Sequence, residues 1–208
     1  MNKNKAIVAM LAGTLALMLA AGVAWAATVQ CQVGEEICLG TKNPDTITGT
    51  SGQDYIRALA GADLARGLGE DDRIVGGRGR DTVKGGNGPD ELLWGGEAGP
   101  TLDGPFTDAS DDYTYGGAGN DHLFGGYAQG GVDRVFGEDG GDYIETYQRG
   151  FVAELGVVVT KEIVNCGAGQ DTVVFDKDKD EVARNCEVRY PVLPGGAGAP
   201  PAEMAASK

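Results

Sequence analysis

Six aspartates stand nine residues apart with no slip: Asp45, Asp54, Asp63, Asp72, Asp81 and Asp90. Two residues beyond each lies Ile47, Ile56, Ala65, Ile74, Val83 or Leu92. The phase returns at Asp112 and Asp121, at Asp133 and Asp142, and at Asp171 and Asp180. There the following residues are Thr114, Leu123, Val135, Ile144, Val173 and Val182. Twelve of the 19 aspartates share this phase, so spacing and not mere composition organises the chain. One carboxylate per unit supplies hard anionic oxygen. Glycines earlier in the unit, as in Gly76–Lys84 and Gly85–Leu93, permit positive φ and expose backbone carbonyls. Calcium takes six to eight such oxygens, whereas Mg²⁺ demands a tighter octahedron and soft metals want sulfur or nitrogen.

Nine residues suffice for one turn and one short extended segment, with the eighth, apolar position facing inward. Two units then make a coil of 18, and stacked coils pair their strands in parallel, about 4.8 Å apart. Carboxylates 18 apart in sequence therefore face one another: Asp45, Asp63 and Asp81 on one edge, Asp54, Asp72 and Asp90 on the other. Asp112/Asp133 and Asp121/Asp142 pair likewise if three residues near Tyr127–Gly130 loop out. Such a ladder stacks like charges and calls for a countercharge. The competing reading makes each Asp a turn former that caps its own backbone. That reading is strongest in Gly40–Thr48, Ala58–Arg66 and Gly67–Val75, which lack some of the glycines, so Asp45, Asp63 and Asp72 are the less secure ligands.

Gly76–Lys84, Gly85–Leu93 and Gly116–Phe124 read G-G-x-G-x-D-x-U-x, with U apolar. Between about Gly40 and Cys186 the chain resembles the repeats-in-toxin (hemolysin-type) calcium-binding nonapeptide repeat proteins. The resemblance implies an all-β parallel β-roll (a β-solenoid) of nine-residue half-coils, with calcium held between successive turns on each edge. It carries the ligand role to Asp45, Asp54, Asp63, Asp72, Asp81, Asp90, Asp112, Asp121, Asp133 and Asp142. Calcium ions are then the expected cofactor and partner.

The remaining composition narrows the function. The net charge is −14, which removes the basic footprint nucleic acid requires. A single His, His122, excludes a multi-His metal site and falls at an outward position. Asp176, Asp178, Asp180 and Glu187 match the spacing of an EF-hand loop. Glu181 stands where that loop needs Gly, and the flanks look extended, so the nine-residue phase accounts for Asp180 better. Arg57, Arg66, Arg78, Arg80 and Lys84 read as local balance for the acidic turns. The repeats occupy nearly all of the chain and leave no separate catalytic domain. A structural or interaction module is therefore expected, not an enzyme. Surface adhesion to an unknown protein or glycan is the alternative, with outward Tyr113, Tyr115, Phe124, Phe136 and Tyr143 as candidates.

Residues 1–26 have the layout of a cleaved signal peptide: Lys3 and Lys5, an apolar run, then Ala24-Trp25-Ala26. Export is expected, to the exterior or the cell envelope, with no transmembrane segment remaining after cleavage. The rest divides into an N-terminal cap (27–39), a first repeat block (40–93) and a loop excursion (94–111). A second block (112–145), C-terminal coils and cap (146–190) and a flexible tail (191–208) follow. Within residues 146–165, Val157–Val159 and Ile163-Val164 look like strands without the metal turn and are expected to continue the stack by apolar packing alone. Four cysteines in an exported chain read as disulfides and allow three pairings. Cys31 and Cys38 flank the entry to the first repeat, and Cys166 and Cys186 lie one coil plus two residues apart. This spacing favours Cys31–Cys38 and Cys166–Cys186 as staples of the two ends.

Overall fold

A computed structural model describes residues 26–91, 93–95, 109–125, 131–146 and 160–192. Sixteen short strands form two parallel sheets. One sheet holds β1 (Ala27–Gln30), β3 (Asp45–Thr48), β5 (Leu64–Gly69), β7 (Thr82–Asn87), β9 (Tyr113–Ala118), β11 (Arg134–Asp139), β13 (Ile163–Asn165) and β15 (Glu181–Val182). The other holds β2 (Cys38–Leu39), β4 (Tyr55–Ala60), β6 (Arg73–Arg78), β8 (Leu93–Trp94), β10 (His122–Phe124), β12 (Tyr143–Glu145), β14 (Thr172–Asp176) and β16 (Val188–Val192). Each sheet runs in sequence order, odd strands in one and even in the other. The chain is thus an all-β parallel solenoid in which every half-coil crosses to the opposite sheet.

The eighth positions build the core. Ile47, Ala65, Val83, Val135 and Val164 are buried along the first sheet, and Ile56, Ile74, Leu123, Ile144 and Val173 along the second. Each faces its counterpart one coil away, as in Ile47↔Ala65 and Ile56↔Ile74. With only one or two buried side chains per strand the core is thin, so the ends need separate closure. Cys31–Cys38 and Cys166–Cys186 provide it: both bridges form, with Cα–Cα distances of 5.4 and 5.2 Å, and all four cysteines are buried in the core cluster.

Several details differ from expectation. Strands such as Tyr55–Ala60 run six residues, because the parallel ladder continues into the first positions of the next turn. Leu92 lies outside the described residues. Leu93, one residue later, takes the register opposite Ile74 and Leu123, so the unit after Asp90 carries an extra residue before its strand. Trp94, assigned by spacing to the excursion, is the second residue of β8 and pairs with Val75 and Phe124. Pro191 and Val192, assigned to the tail, belong to β16 and pair with Phe175 and Asp176. The expected signal segment up to residue 25, most of the excursion, the expected loop-out at 127–130, Val157–Val159 and the tail beyond residue 192 lie outside the described residues.

Candidate metal centre

The turns that lead into odd strands form one edge of the solenoid, and those that lead into even strands form the other. On the first edge Asp45, Asp63, Asp81, Asp112 and Asp133 stack in a column; on the second, Asp54, Asp72, Asp90, Asp121 and Asp142 do the same. All ten are buried, between 0% and 6% exposed. The columns are knitted by one repeated bond, in which the backbone N–H of each Asp donates to Oδ1 of the Asp in the next coil. It recurs from Asp45 to Asp63, Asp63 to Asp81, Asp81 to Asp112 and Asp112 to Asp133 at 2.7–2.9 Å. On the second edge it recurs from Asp54 to Asp72, Asp72 to Asp90, Asp90 to Asp121 and Asp121 to Asp142, all at 2.9 Å. The column on the first edge therefore passes from Asp81 to Asp112 without a break, across a separation of 31 residues. The column thus keeps its register across the intervening residues.

The columns extend further than the nine-residue phase had placed ligands. Asp142 donates to Asp171, and Asp171 to Glu187 Oε2. On the first edge Glu162 takes the column position after Asp133, and its N–H donates to Asp180 Oδ1 at 3.0 Å. The C-terminal coils are therefore not held by apolar packing alone. Glu162 and Glu187 escape sequence reasoning because a long insertion separates the first from its phase, a shortened turn displaces the second, and both are Glu where the pattern holds Asp. The strand starts at Ile163 and Val188 are the signals that could have found them. Asp180 and Glu187 fall in different columns between strands, so the EF-hand spacing is coincidental.

Two kinds of turn carry these carboxylates. In the first two, Thr occupies the second position. Thr41 donates its N–H to Asp45 Oδ2 at 2.5 Å and its hydroxyl to Oδ1 at 3.2 Å. Thr50 does the same for Asp54 Oδ2, at 2.5 and 3.1 Å. Asp45 and Asp54 are thereby used as turn formers. From Ala58 onward the second and fourth positions adopt positive φ instead: Leu59 and Gly61, Leu68 and Glu70, Gly77 and Gly79, Gly86 and Gly88, Gly117 and Gly119, Glu138 and Gly140, Gly167 and Gly169. Asp63, Asp72, Asp90, Asp142 and Asp171 sit in such turns, and the Oδ2 of each is buried with no hydrogen-bond donor. The first-position glycine makes room for the carboxylate: a Cβ on Gly76 would lie 2.8 Å from Asp81 Oδ2, and one on Gly116 2.5 Å from Asp121 Oδ2.

The electrostatics follow from this packing. Burial pushes Asp72 up to about 7, against the amide of Asp54 that lowers it, and the charges of Asp90, Asp54 and Asp71 add to the rise. Asp142 rises to about 7 by burial, with Asp121, Asp171 and Asp139 adding to it. Burial likewise lifts Asp63 and Asp90 to about 6. The neighbouring cations do not relieve this. Arg73 pairs with Glu91, Arg80 and Arg134 approach Asp111, and Lys161 pairs with Glu181, all on the outer faces. Lys84 lies over the Tyr115 ring. His122 is likewise on an outer face, against Phe124 and Tyr143.

The donor set fits calcium. Stacked, half-satisfied carboxylates and turns with exposed carbonyls offer oxygen alone, and a divalent ion would supply the missing countercharge. No three His, Cys, Asp or Glu side chains converge among the described residues. Any ion held here would draw on carboxylates of neighbouring coils together with backbone carbonyls.

Among known proteins, no curated protein matches the chain. The family model described as RTX calcium-binding nonapeptide repeat (4 copies) matches residues 39–69, 66–97 and 106–144. These stretches span the positive-φ turns from Ala58 to Asp142 and both carboxylate columns through them. By these residues, the chain belongs to the RTX calcium-binding nonapeptide repeat family.

Proposed function

We propose that the chain is an exported structural module whose folding is coupled to calcium. The observation that carries this reading is the row of buried Oδ2 atoms without donors, at Asp63, Asp72, Asp90, Asp142 and Asp171. Calcium between successive positive-φ turns would use one such oxygen from each coil. On the second edge the turns ending at Asp72, Asp90, Asp121, Asp142 and Asp171 adjoin in sequence and offer four positions between them. The turns ending at Asp63 and Asp81 offer one on the first. An ion bound by the folded chain alone stabilises it by mass action.

The disulfides at both ends and the apolar segment ending at Ala26 support an oxidising compartment outside the cytoplasm, reached through cleavage of a signal peptide. No helix among the described residues is long and apolar enough to cross a membrane. Adhesion is the second reading, favoured by the outward rings. However, Tyr115 stacks on Phe136 at 4.8 Å and Trp94 on Phe124 at 4.9 Å, so these rings already pack against each other along the stack. A module without catalytic function accords with the repeats occupying both columns.

Circular dichroism of the disulfide-intact chain tests the main reading. In chelator the β signal should be reduced and should melt at lower temperature, and calcium should restore it with a midpoint in the ~10⁻⁴–10⁻³ M range of extracellular modules. A spectrum unchanged throughout the titration would overturn it.

A further inference from the structure

On the first edge, Thr160 and Glu162 enter β13 from inside. Lys161 between them points outward to Glu181, whereas Thr160 is 9% and Glu162 1% exposed, so the two share the inward face of one extended segment. Neither Glu162 Oε1 nor Oε2 has a hydrogen-bond donor, and Thr160 Oγ1 has no partner either. These are three buried oxygens, two of them those of one carboxyl group, in a turn that contains no glycine nonapeptide.

The surroundings make the charge harder to hold. Glu162 occupies the column position next to Asp133, since Ile163 N–H donates to the Asp133 carbonyl at 2.9 Å. The charges of Asp133, Asp180, Asp112 and Asp176 all act on it. Asp180 is fully supplied, by the Glu162 and Asp176 amides and the Thr146 hydroxyl. Lys161 and Arg134 are committed to Glu181 and Asp111 at the surface. The longer Glu side chain reaches over the neighbouring coil, where a Cβ on Gly125 would lie 2.7 Å from its Oε2.

We propose that Thr160 and Glu162, with Asp133 of the adjacent coil, bind a calcium ion at a site separate from the glycine-rich turns. The inference rests on the calcium reading of the ladder but assigns residues that the nonapeptide pattern does not contain. Hard oxygens, one hydroxyl and two carboxylates, suit calcium and disfavour a softer ion. The site would tie the last coils to the repeat block, where the nine-residue phase is interrupted.

Glu162→Gln keeps the side-chain shape and removes the charge. Equilibrium dialysis of the full, disulfide-intact chain in saturating calcium chloride should show one ion fewer in this variant than in the wild type. Thermal melts supply a second readout: the variant should melt no lower than the wild type in chelator, where a buried carboxyl without a donor has been replaced, and lower than it in calcium. An unchanged ion count, with a variant more stable in both solutions, would identify Glu162 as a buried neutral acid and overturn the proposal while leaving the ladder reading intact. A wild type that binds no calcium would overturn both. If Glu162→Gln does not fold, Thr160→Val carries the test. At least tenfold weaker binding of one ion supports the site, and an unchanged isotherm overturns it.

Discussion

The same residue type does two jobs in this chain. Asp45 and Asp54 meet a Thr amide and hydroxyl four residues before them, whereas Asp72 and Asp90 keep a buried oxygen unbonded. Asp54→Ala should therefore lower the melting temperature equally in chelator and in calcium, by the roughly 1–2 kcal/mol of a lost cap. Asp90→Ala orphans the buried Asp72 amide and should lower both melts, the calcium melt by more, and reduce the number of ions bound. Calorimetric melts and calcium titration of both variants check this, and equal ion counts would make Asp90 a turn former as well. Titration adds a second expectation. Asp72 and Asp142 at about 7, and Asp63 and Asp90 at about 6, retain protons in the folded chain without calcium that the unfolded chain, near 3.8, has released. Between those limits the folded state binds more protons, so stability in chelator falls as pH rises from about 5 to 7.5. In calcium the carboxylates are held ionised, protons compete with the ion, and stability should rise over the same interval. Melting temperatures that shift in the same direction in both solutions would contradict this. The aspartate ladder was legible because a fixed spacing survives every unit. The Thr caps were written in the chain too, as Thr four residues before Asp, but a pattern read for missing glycines passes over what replaces them.

Turns show how far backbone geometry is independent of glycine. Leu59, Leu68, Glu70 and Glu138 adopt positive φ where the repeat prefers Gly, at a cost of roughly 1–2 kcal/mol each. Leu68, at φ 95°, is 44% exposed, so its side chain contributes little burial. Leu68→Gly should raise stability by about 1 kcal/mol in denaturant melts, the relief of strain exceeding the added freedom of the unfolded chain. A destabilised variant would show that packing of Leu68 outweighs its strain. Of the three glycine-poor turns, the one before Asp45 departs from the pattern, whereas those before Asp63 and Asp72 keep its positive φ, because the neighbouring coils dictate the backbone through the parallel ladder. The shift from Leu92 to Leu93 was not legible for a related reason: two adjacent leucines satisfy the inward position equally, and only pairing with Ile74 and Leu123 selects one.

At the scale of the molecule, a thin core leaves stability to the ends and the edges. Cys166–Cys186 closes a separation of 20 residues and Cys31–Cys38 one of 7. In the chain-entropy account these contribute about 3 and about 2 kcal/mol. Replacing the Cys166–Cys186 pair by Ser should thus lower the calcium-loaded melt more than replacing the Cys31–Cys38 pair, as differential scanning calorimetry would show. The fold was legible almost whole, because period nine leaves one way to bury Ile47, Ile56 and their successors together. What was not legible lies where the period lapses, around Glu162 and Glu187, since there only the strands that follow show which residue holds the column.

The lapses have a direction. The spacing exceeds nine from Asp90 to Asp112, from Asp121 to Asp133 and from Asp142 to Glu162, each time before an odd strand and so on the first edge. The turns of the second edge vary by only a residue or two, with one extra residue after Asp90 and a shorter turn before Glu187. Length in this protein is thus free on one side and nearly fixed on the other, like pages bound at a spine. Register is carried by the bound side, so additional chain on the open side costs little: doubling a flexible connection adds only about 0.6 kcal/mol. A foreign peptide placed between Gly125 and Gly131 should be carried without loss of the calcium-dependent fold, whereas the same peptide between Gly116 and Asp121 should abolish it. The solenoid would then serve as a calcium-gated scaffold for displaying grafted segments in a fixed order along one margin.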